Sequence, residues 1–261
     1  MAIWWESLGF TLLVVAVVSV LVALLQRFSP PTRRERNNEI GTTLFELLTV
    51  LYAVVLAFVL ITVWEHRNEA GHLTYQEAGA LVEVYWAAEA LPPADRDEVR
   101  EAVRDYTALV LGDEWDSMRE REPVGDEALL LVDRMRAPFT AVDDADEVLQ
   151  SQLDDARDRI RDVTEHRTER ILQAQRGLSG PIWTVLLPGA LLVLVVSLTL
   201  GTPTRRFQYV FVGLISGMVA LMLFATYQLE YPFSRGEAVN AAAYEAALDR
   251  YDEIDAQHSD R

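Results

Sequence analysis

The sequence predicts an all-α membrane protein with four transmembrane helices in two hairpins and a helical extramembrane domain inserted between helices 2 and 3. Two observations carry this prediction. The apolar residues concentrate in four runs that are almost free of charge, and the long segment between the second and third runs is acidic with helical periodicity. Each run is close to the roughly 20 residues that a helix needs to cross a bilayer core of about 30 Å. Because lipid offers no hydrogen-bond partner to the backbone, each run should be helical.

The predicted transmembrane spans are residues 8–25, 44–64, 181–200 and 207–229, and the only charged side chain within them is Glu46. The first run exceeds the usual 7–15 apolar residues of a signal peptide, and residues 1–9 contain no Arg or Lys, so we expect an uncleaved helix. The resulting domains are a first hairpin (1–64), an acidic helical domain (65–180), a second hairpin (181–229) and an acidic, partly helical tail (230–261).

Composition excludes several classes of protein. The formal net charge is −17, and all 23 basic residues are Arg. Nucleic-acid binding needs a basic face, which this balance does not favour, and no polybasic patch predicts binding to anionic lipid. The chain has no cysteine, so disulfides and thiolate metal sites are excluded.

The segment between the hairpins predicts only helices. The second span continues without a break past Trp64 to Leu91, where Pro92 and Pro93 stop it. Further helices are predicted at about 94–120, at 127–135 ending before Pro138, and at 144–177. The last carries a coiled-coil-type seam that packs either against the helix extending from the second span or against another subunit. Its members are Leu149, Leu153, Ala156, Ile160, Val163, Arg167, Ile171 and Ala174.

No motif points to an enzyme. His66 and His72 are six residues apart, which is not the i, i+4 spacing of a helical metal pair, and no nucleophile elbow or phosphate-binding loop is present. Paired carboxylates such as Asp143-Asp144 and Asp154-Asp155 fit the solvated surface or N-terminal charge of helices. We therefore expect no catalytic activity, no metal and no cofactor.

The second span carries the residues that suit a pore. Glu46 either reaches the nearby interface or forms, with Thr49, a polar face suited to close packing or a water-filled lumen. Val50, Val54 and Phe58 form a neighbouring apolar stripe. This stripe either contacts lipid or makes a hydrophobic constriction that gates by dewetting.

The second hairpin carries two features of packed helices. Gly213 and Gly217 form a GxxxG motif in the fourth span, and small residues at this spacing allow two helices to approach closely. Pro188-Gly189 predicts a kinked or loosened third span.

Two segments carry a family resemblance. Residues 229–236, Leu-Glu-Tyr-Pro-Phe-Ser-Arg-Gly, resemble the E-x-P-F-G segment that follows the last transmembrane helix of bestrophins. Residues 58–67 resemble the Phe-containing second helix of those proteins and the W-E-x-R segment that it enters. Over nearly its full length the chain resembles a bacterial bestrophin-like family of unknown function. The matching residues are Asn38, Gly41, Tyr52, Phe58, Trp64, Glu65, Glu77, Ala78, Leu91, Pro92, Arg167, Arg170, Trp183, Glu230, Pro232, Phe233 and Gly236.

The resemblance implies a homo-oligomeric channel, pentameric by analogy, that passes a small inorganic anion. Its second helices would line the pore, with Phe58 as the best candidate for a hydrophobic neck. An alternative from another class is a non-conducting sensor or scaffold whose acidic domain binds a protein partner. These two functions are separated by whether substitution of Phe58 changes an ion flux.

The expected location is the inner cell membrane, in contact with lipid, as a multi-pass protein. The positive-inside rule favours a cytoplasmic position for the short connectors, which carry Arg33, Arg34, Arg36 and Arg205. The resemblance implies the opposite orientation, with the acidic domain in the cytosol.

Overall fold

The computed structural model describes residues 2–28, 38–142, 146–199 and 204–259, and every regular element in these ranges is helical. A 3-10 turn, Ala88–Ala90, and a π-helical segment, Val110–Glu114, accompany the α-helices. The α-helices are α1 (Ala2–Phe28), α2 (Asn38–Ala87), α3 (Pro93–Leu109), α4 (Trp115–Glu120), α5 (Glu127–Thr140), α6 (Glu147–Gln175), α7 (Gly180–Thr199), α8 (Arg205–Leu229) and α9 (Ala242–Ser259).

Within the described ranges, three helical segments are long and apolar enough to cross a membrane: Thr42–Ala90, Glu147–Leu198 and Arg206–Leu229. The first helix contributes a shorter apolar stretch, Leu8–Leu21. The connector residues Arg33, Arg34 and Arg36 and the acidic pair Asp143-Asp144 lie outside the described residues.

The chain divides into two compact units. We call residues 1–65 with 177–230 the membrane unit, and residues 66–176 with 231–261 the body. The body therefore contains the second part of α2, helices α3 to α6, and the C-terminal helix α9.

In the membrane unit, α1 packs against α8, and the first part of α2 packs against α7. The GxxxG motif lies at the first contact, because a Cβ added at Gly217 would stand 3.5 Å from Val15 Cγ2. The predicted role of this motif in helix packing is confirmed. The second contact is formed by Phe45, Tyr52, Leu56, Leu186, Ala190 and Val193.

A close approach between α2 and α7 depends on Gly189. A Cβ at this position would lie 2.7 Å from Cδ2 of Tyr52, which is inside van der Waals contact. The Tyr52 hydroxyl donates to the Leu186 carbonyl at 3.2 Å, so the ring lies flat along α7. The residue that follows Pro188 therefore has to be glycine for this ring to fit.

The body has one large apolar core. Its α6 side is the predicted seam, in which Leu153, Ala156, Ile160 and Val163 are buried within the chain itself. Helix α6 packs mainly against α5 and also against α4. These four residues are therefore buried inside one chain, but the main partners of α6 are α5 and α4 rather than the extension of the second span that was expected.

One local prediction for the body was wrong. Helix α5 was expected to end before Pro138, but it includes this proline and continues to Thr140. The helix predicted at 94–120 is confirmed, since the chain is helical from Pro93 to Glu120, and within it the structure adds the π-helical segment Val110–Glu114, which hydrophobic periodicity did not predict.

Candidate pore helix and buried ionic centre

The apolar stripe of α2 is uncovered in the single chain. The side chains of Val50, Val54 and Phe58 are 63%, 47% and 68% exposed. Tyr52 and Leu56, on the opposite side of the same helix, are buried against α7. Because one face is packed and the other is bare, the stripe is available for lipid, for another subunit or for a lumen.

The polar residues at the start of this helix do not form one uniform face. Glu46 is exposed, whereas Thr49 is half-buried, and its Oγ1 has no hydrogen-bond partner among the described residues. No hydrogen bond joins the two side chains, so the predicted polar face stays a prediction for an assembled protein.

The family-motif residues fall into two groups in the membrane unit. Trp64 is 55% exposed and Glu65 is exposed, at the end of the segment of α2 that belongs to this unit. Glu230 is buried and accepts a hydrogen bond of 3.1 Å from the indole N–H of Trp183. This bond ties the beginning of α7 to the end of α8, two segments that sequence alone did not connect.

The remaining motif residues, Pro232 and Phe233, are buried in the body. The ring of Phe233 meets that of Trp115 edge-on, with centroids 5.4 Å apart. The Pro232 carbonyl accepts a bond of 2.8 Å from the amide of Val239, and Gly236 between them has a φ of 61°. The Pro-Phe motif therefore anchors a tight loop whose left-handed residue is glycine.

The body also contains an ionic centre, which we define as Glu77, Glu114, Arg167 and Arg170. Arg170 is fully buried and donates from Nε and Nη2 to the carboxylate of Glu77 at 2.7 and 3.0 Å. Its Nη2 also donates to Glu114 at 2.7 Å. Arg167 donates from Nε and Nη2 to the other oxygen of Glu114 at 2.9 and 2.7 Å. Two positive and two negative charges are thus enclosed together.

Neutral groups complete this centre. Tyr106 donates to Glu77 Oε1 at 2.7 Å, and Nη1 of Arg170 lies 3.3 Å from the sulfur of Met118. The ring of Tyr244, on α9, lies under the Arg170 guanidinium at 5.7 Å. The centre therefore joins α2, α3, α4, α6, α9 and the π-helical segment.

The π-helical segment positions one of the acids. Glu114 is its last residue, and Val110, Glu114 and Met118 are all buried. Because a π turn inserts one residue into the helical repeat, it places both Glu114 and the adjacent Trp115 toward the interior. The local distortion is thus what delivers a carboxylate to the two arginines.

Electrostatics keep Arg170 charged. Burial by itself lowers the pKa of Arg170, but the attraction of Glu77 and the other surrounding groups outweighs it and holds that pKa well above its ordinary value. Burial, reinforced by the charge of Glu77, raises the pKa of Tyr106 well above its usual range. Both groups therefore stay protonated at physiological pH, and the centre acts as a fixed clamp.

Sequence reasoning named Glu77, Arg167 and Arg170 only through the resemblance. One signal was available without it: Arg167 occupies a core position of the α6 seam. A charged side chain at a core position requires a buried partner of opposite sign. The identity of that partner, Glu114 of a distant segment, could not be read from spacing.

A second polar cluster fastens the C-terminal helix. Asp255 of α9 accepts from the Tyr85 hydroxyl at 2.7 Å, from Arg104 at 2.9 Å and from Arg100 at 3.1 Å. The rings of Tyr85 and Tyr251 stack with centroids 4.5 Å apart. Helix α9 is thereby joined to both α2 and α3.

Comparison with known proteins places this arrangement in a family. A crystal structure of a variant of a bacterial bestrophin homologue from Klebsiella pneumoniae has a TM-score of 0.73 at 11% identity, over 94% of this chain and 97% of that one. A crystal structure of a membrane-protein variant has a TM-score of 0.69 at 12% identity with the same coverage. No curated protein matches the sequence. The family model of the bestrophin-like domain matches residues 12–261, so the chain belongs to the bestrophin-like family.

Proposed function

We propose that this protein is a homo-oligomeric ion channel whose pore is lined by the membrane-unit part of α2. The observation that carries the proposal is the uncovered apolar stripe of Val50, Val54 and Phe58 on a helix whose other face is packed. Membership of the bestrophin-like family supports it, because the resemblance to bestrophins implies a pentameric anion channel with its pore on the second helices. Assembly around a central axis would turn this stripe into the wall of a lumen.

The chemistry of the stripe sets the proposed mechanism. Between Glu46 and Glu65 the segment carries no ionisable side chain other than the buried Tyr52 hydroxyl, which is bound to Leu186. A ring of Phe58 side chains would form a narrow apolar neck. Water leaves such a constriction easily, so small changes of its width would open or close it to ions.

The test is ion flux into liposomes that contain the purified full-length protein. We expect flux from the wild type, and a several-fold higher flux from Phe58→Ala, because the smaller side chain widens and wets the neck. Leu214→Ala is the matched control. Leu214 is a large apolar residue of the same unit, it is 70% exposed against 68% for Phe58, and it lies on α8.

Equal flux from Phe58→Ala and Leu214→Ala, with both proteins oligomeric, would place the pore elsewhere. A folded, oligomeric wild type that passes no ion would favour the second candidate, a non-conducting sensor or scaffold. That candidate has its own support in the body, whose partly exposed Trp86 and open groove offer a surface for a protein.

The proposed permeant ion is a small inorganic anion, by resemblance to the bestrophins. Reversal potentials across a chloride gradient decide this point. A potential near that of chloride supports anion permeation, whereas a potential near that of the cation contradicts it while leaving the channel proposal intact.

A further inference from the structure

A groove runs along the surface of the body between α2 and α6. It consists of two cavities of about 570 and 340 Å³ that share Glu83 and Arg159 as lining residues. Gly79, Ala80 and Ala87 contribute small side chains to its α2 side. The groove follows α2 from Tyr75 to its end and the 3-10 turn to Ala90, which corresponds to roughly 20 Å of helix.

The groove has the features of a surface that is covered in an assembly. Trp86 and Tyr75 at its edge are 47% and 62% exposed. Exposed aromatic side chains of this size are enriched in protein interfaces. Nothing in the described part of the single chain occupies the groove. The two helices on either side of it are joined by the buried Glu77–Arg170 pair.

A matching ridge exists on α5. This helix has 14 residues, a length of roughly 21 Å, and it exposes Leu129 and Leu130 at 37% and 69%. The same outward side continues with Asp133 and Ala137, about one and two turns after Leu130, and Arg136 lies at its edge. The inner side of α5 is buried in the core through Ala128, Val132 and Met135.

We propose that α5 of one copy of this chain docks into the α2–α6 groove of the next copy. The groove and the ridge are different surfaces of one body, so the contact is heterologous, and the proposed ring forms where the rotation between neighbouring copies closes. The inference rests on the homo-oligomer of the proposed function and names the surface that assembles it. The lengths of ridge and groove agree, and leucine side chains fit a floor of Gly and Ala.

Charges on the two surfaces are complementary. The groove is lined by four acids and one arginine, Arg159, whose exposed pair with Asp162 has a length of 3.1 Å. The acids are Glu83, Glu89, Asp155 and Asp162. The ridge offers Arg136, whose pair with Asp133 is long, 3.5 Å, and largely exposed. Exposed pairs of this kind contribute little to stability. In the docked state Arg136 can therefore pair with a groove carboxylate, and Asp133 can pair with Arg159. This exchange fixes the direction of the docked helix.

The absence of native cysteine provides a direct test. We expect the full-length double variant Gly79→Cys with Leu130→Cys, purified in detergent and oxidised, to form a ladder from dimers to the complete ring on a denaturing gel. Each single variant stays monomeric on that gel. The two single variants expressed together give dimers and no larger species, since each subunit then has one cysteine.

These substitutions suit the fold of the single chain. A Cβ at Gly79 meets no atom within 4 Å, and Leu130 is mostly exposed. Leu129→Cys and Ala137→Cys, each combined with Gly79→Cys, test the register. Val148→Cys with Gly79→Cys is the matched control, because Val148 is 69% exposed like Leu130 but lies at the start of α6.

A second measurement uses charge. Leu130→Glu should raise the protein concentration at which half of the oligomer dissociates by about tenfold or more, because a buried interface leucine becomes a carboxylate. Val148→Glu should leave that concentration unchanged. If no ridge cysteine cross-links to Gly79→Cys in a protein that is oligomeric by light scattering, the docking is wrong. Equal effects of the two Glu variants would also contradict it.

The outcome is separable from that of the channel proposal. Cross-linked rings that pass no ion would support the docking and contradict the channel. An oligomer that conducts ions without any of these cross-links would support the channel and contradict the docking.

Discussion

The membrane unit and the body satisfy their buried polar groups in opposite ways. In the membrane unit, buried Ser and Thr hydroxyls such as those of Ser197 and Thr226 bond to nearby carbonyls of their own helix, although the Tyr52 hydroxyl reaches the Leu186 carbonyl on α7. In the body, Arg170 reaches Glu77, 93 positions away, and Glu114, 56 positions away. The first pattern is local and tolerates change, whereas the second requires distant parts of the chain to meet in one geometry.

This difference indicates where the fold of each unit is specified. Apolar helices can pack in several registers, and small residues such as Gly189 and Gly217 select among them by shape. An enclosed set of four charges has a large desolvation cost unless every partner is in place. We therefore expect the body to depend on single side chains far more than the membrane unit does.

The largest effect is expected at the ionic centre. Arg170→Met leaves Glu77 buried without its main partner, and breaking a buried pair from one side costs roughly 3–5 kcal/mol of folding free energy. At about 2–4 °C per kcal/mol, the melting temperature of the detergent-solubilised protein, followed by tryptophan fluorescence, should fall by roughly 10 °C.

Arg161→Met is the control for this change, because Arg161 lies on the same helix with 72% of its side chain exposed and pairs with Asp158 within one turn. It should change stability by less than about 0.5 kcal/mol. Adding Glu77→Leu to Arg170→Met should recover part of the loss, because the stranded acid is removed. Equal melting of Arg170→Met and wild type would show that the centre does not stabilise the body.

A smaller effect is expected at the α2–α7 contact of the membrane unit. Gly189→Ala places a methyl group 2.7 Å from the Tyr52 ring, and overpacking of this kind costs about 1–3 kcal/mol. Thermal unfolding in detergent measures it. Gly217→Ala is the matched control, since its methyl group would stand 3.5 Å from Val15 in ordinary contact.

A double-mutant cycle shows whether the cost of Gly189→Ala comes from its contact with the Tyr52 ring. In a Tyr52→Leu background the cost of Gly189→Ala should fall to that of the control, because the atoms that clash are gone. An unchanged cost in that background would mean that Gly189 acts through the backbone of α7 and not through the ring.

The smallest effect is expected at α9. Although partial burial raises the pKa of Asp255, the hydrogen bonds from Tyr85 and Arg104 and the charges of Arg100 and Arg104 outweigh it and hold this pKa below its ordinary 3.8. A depressed folded-state pKa gives stability that is complete above 3.8 and is lost as the pH falls through the folded value. Protonation of Asp255 should therefore loosen α9 progressively as the pH falls below 3.8.

Asp255→Asn should abolish this acid-dependent step and increase amide hydrogen exchange in α9 at neutral pH. Asp249→Asn, an exposed acid on the same helix, should change neither. If acid lowers the stability of wild type and Asp255→Asn by the same amount below pH 3.8, another carboxylate controls the step.

The reach of sequence reasoning also differs between the two units. The apolar runs predicted the helices α2, α7 and α8, because hydropathy over one window requires no knowledge of other segments. The continuation of α2 past Trp64 was predicted from its period and is confirmed. Pro138 inside α5 was missed because a proline was expected to stop the helix, whereas α5 continues past it to Thr140.

The candidate sites show the same limit. Val50, Val54 and Phe58 were grouped by helical spacing alone, and the structure leaves all three exposed on α2, where their role in a pore stays a prediction. The groove between α2 and α6 was not predicted, because the periodicity of each helix shows which of its residues are apolar but not how closely the two helices pack.

The sequence by itself determined that the chain is helical, which runs are apolar enough for lipid, and that the long extension of the second span ends before Pro92 and Pro93. These are properties of one segment in a given solvent. Only the tertiary structure decided that Glu114 on a π turn faces Arg167 and Arg170, that Trp183 donates to Glu230, and that α2 and α6 leave a groove. The reason is physical: a charge or a hydrogen bond needs its partner within about 3 Å, and which residues come that close depends on how all the helices pack.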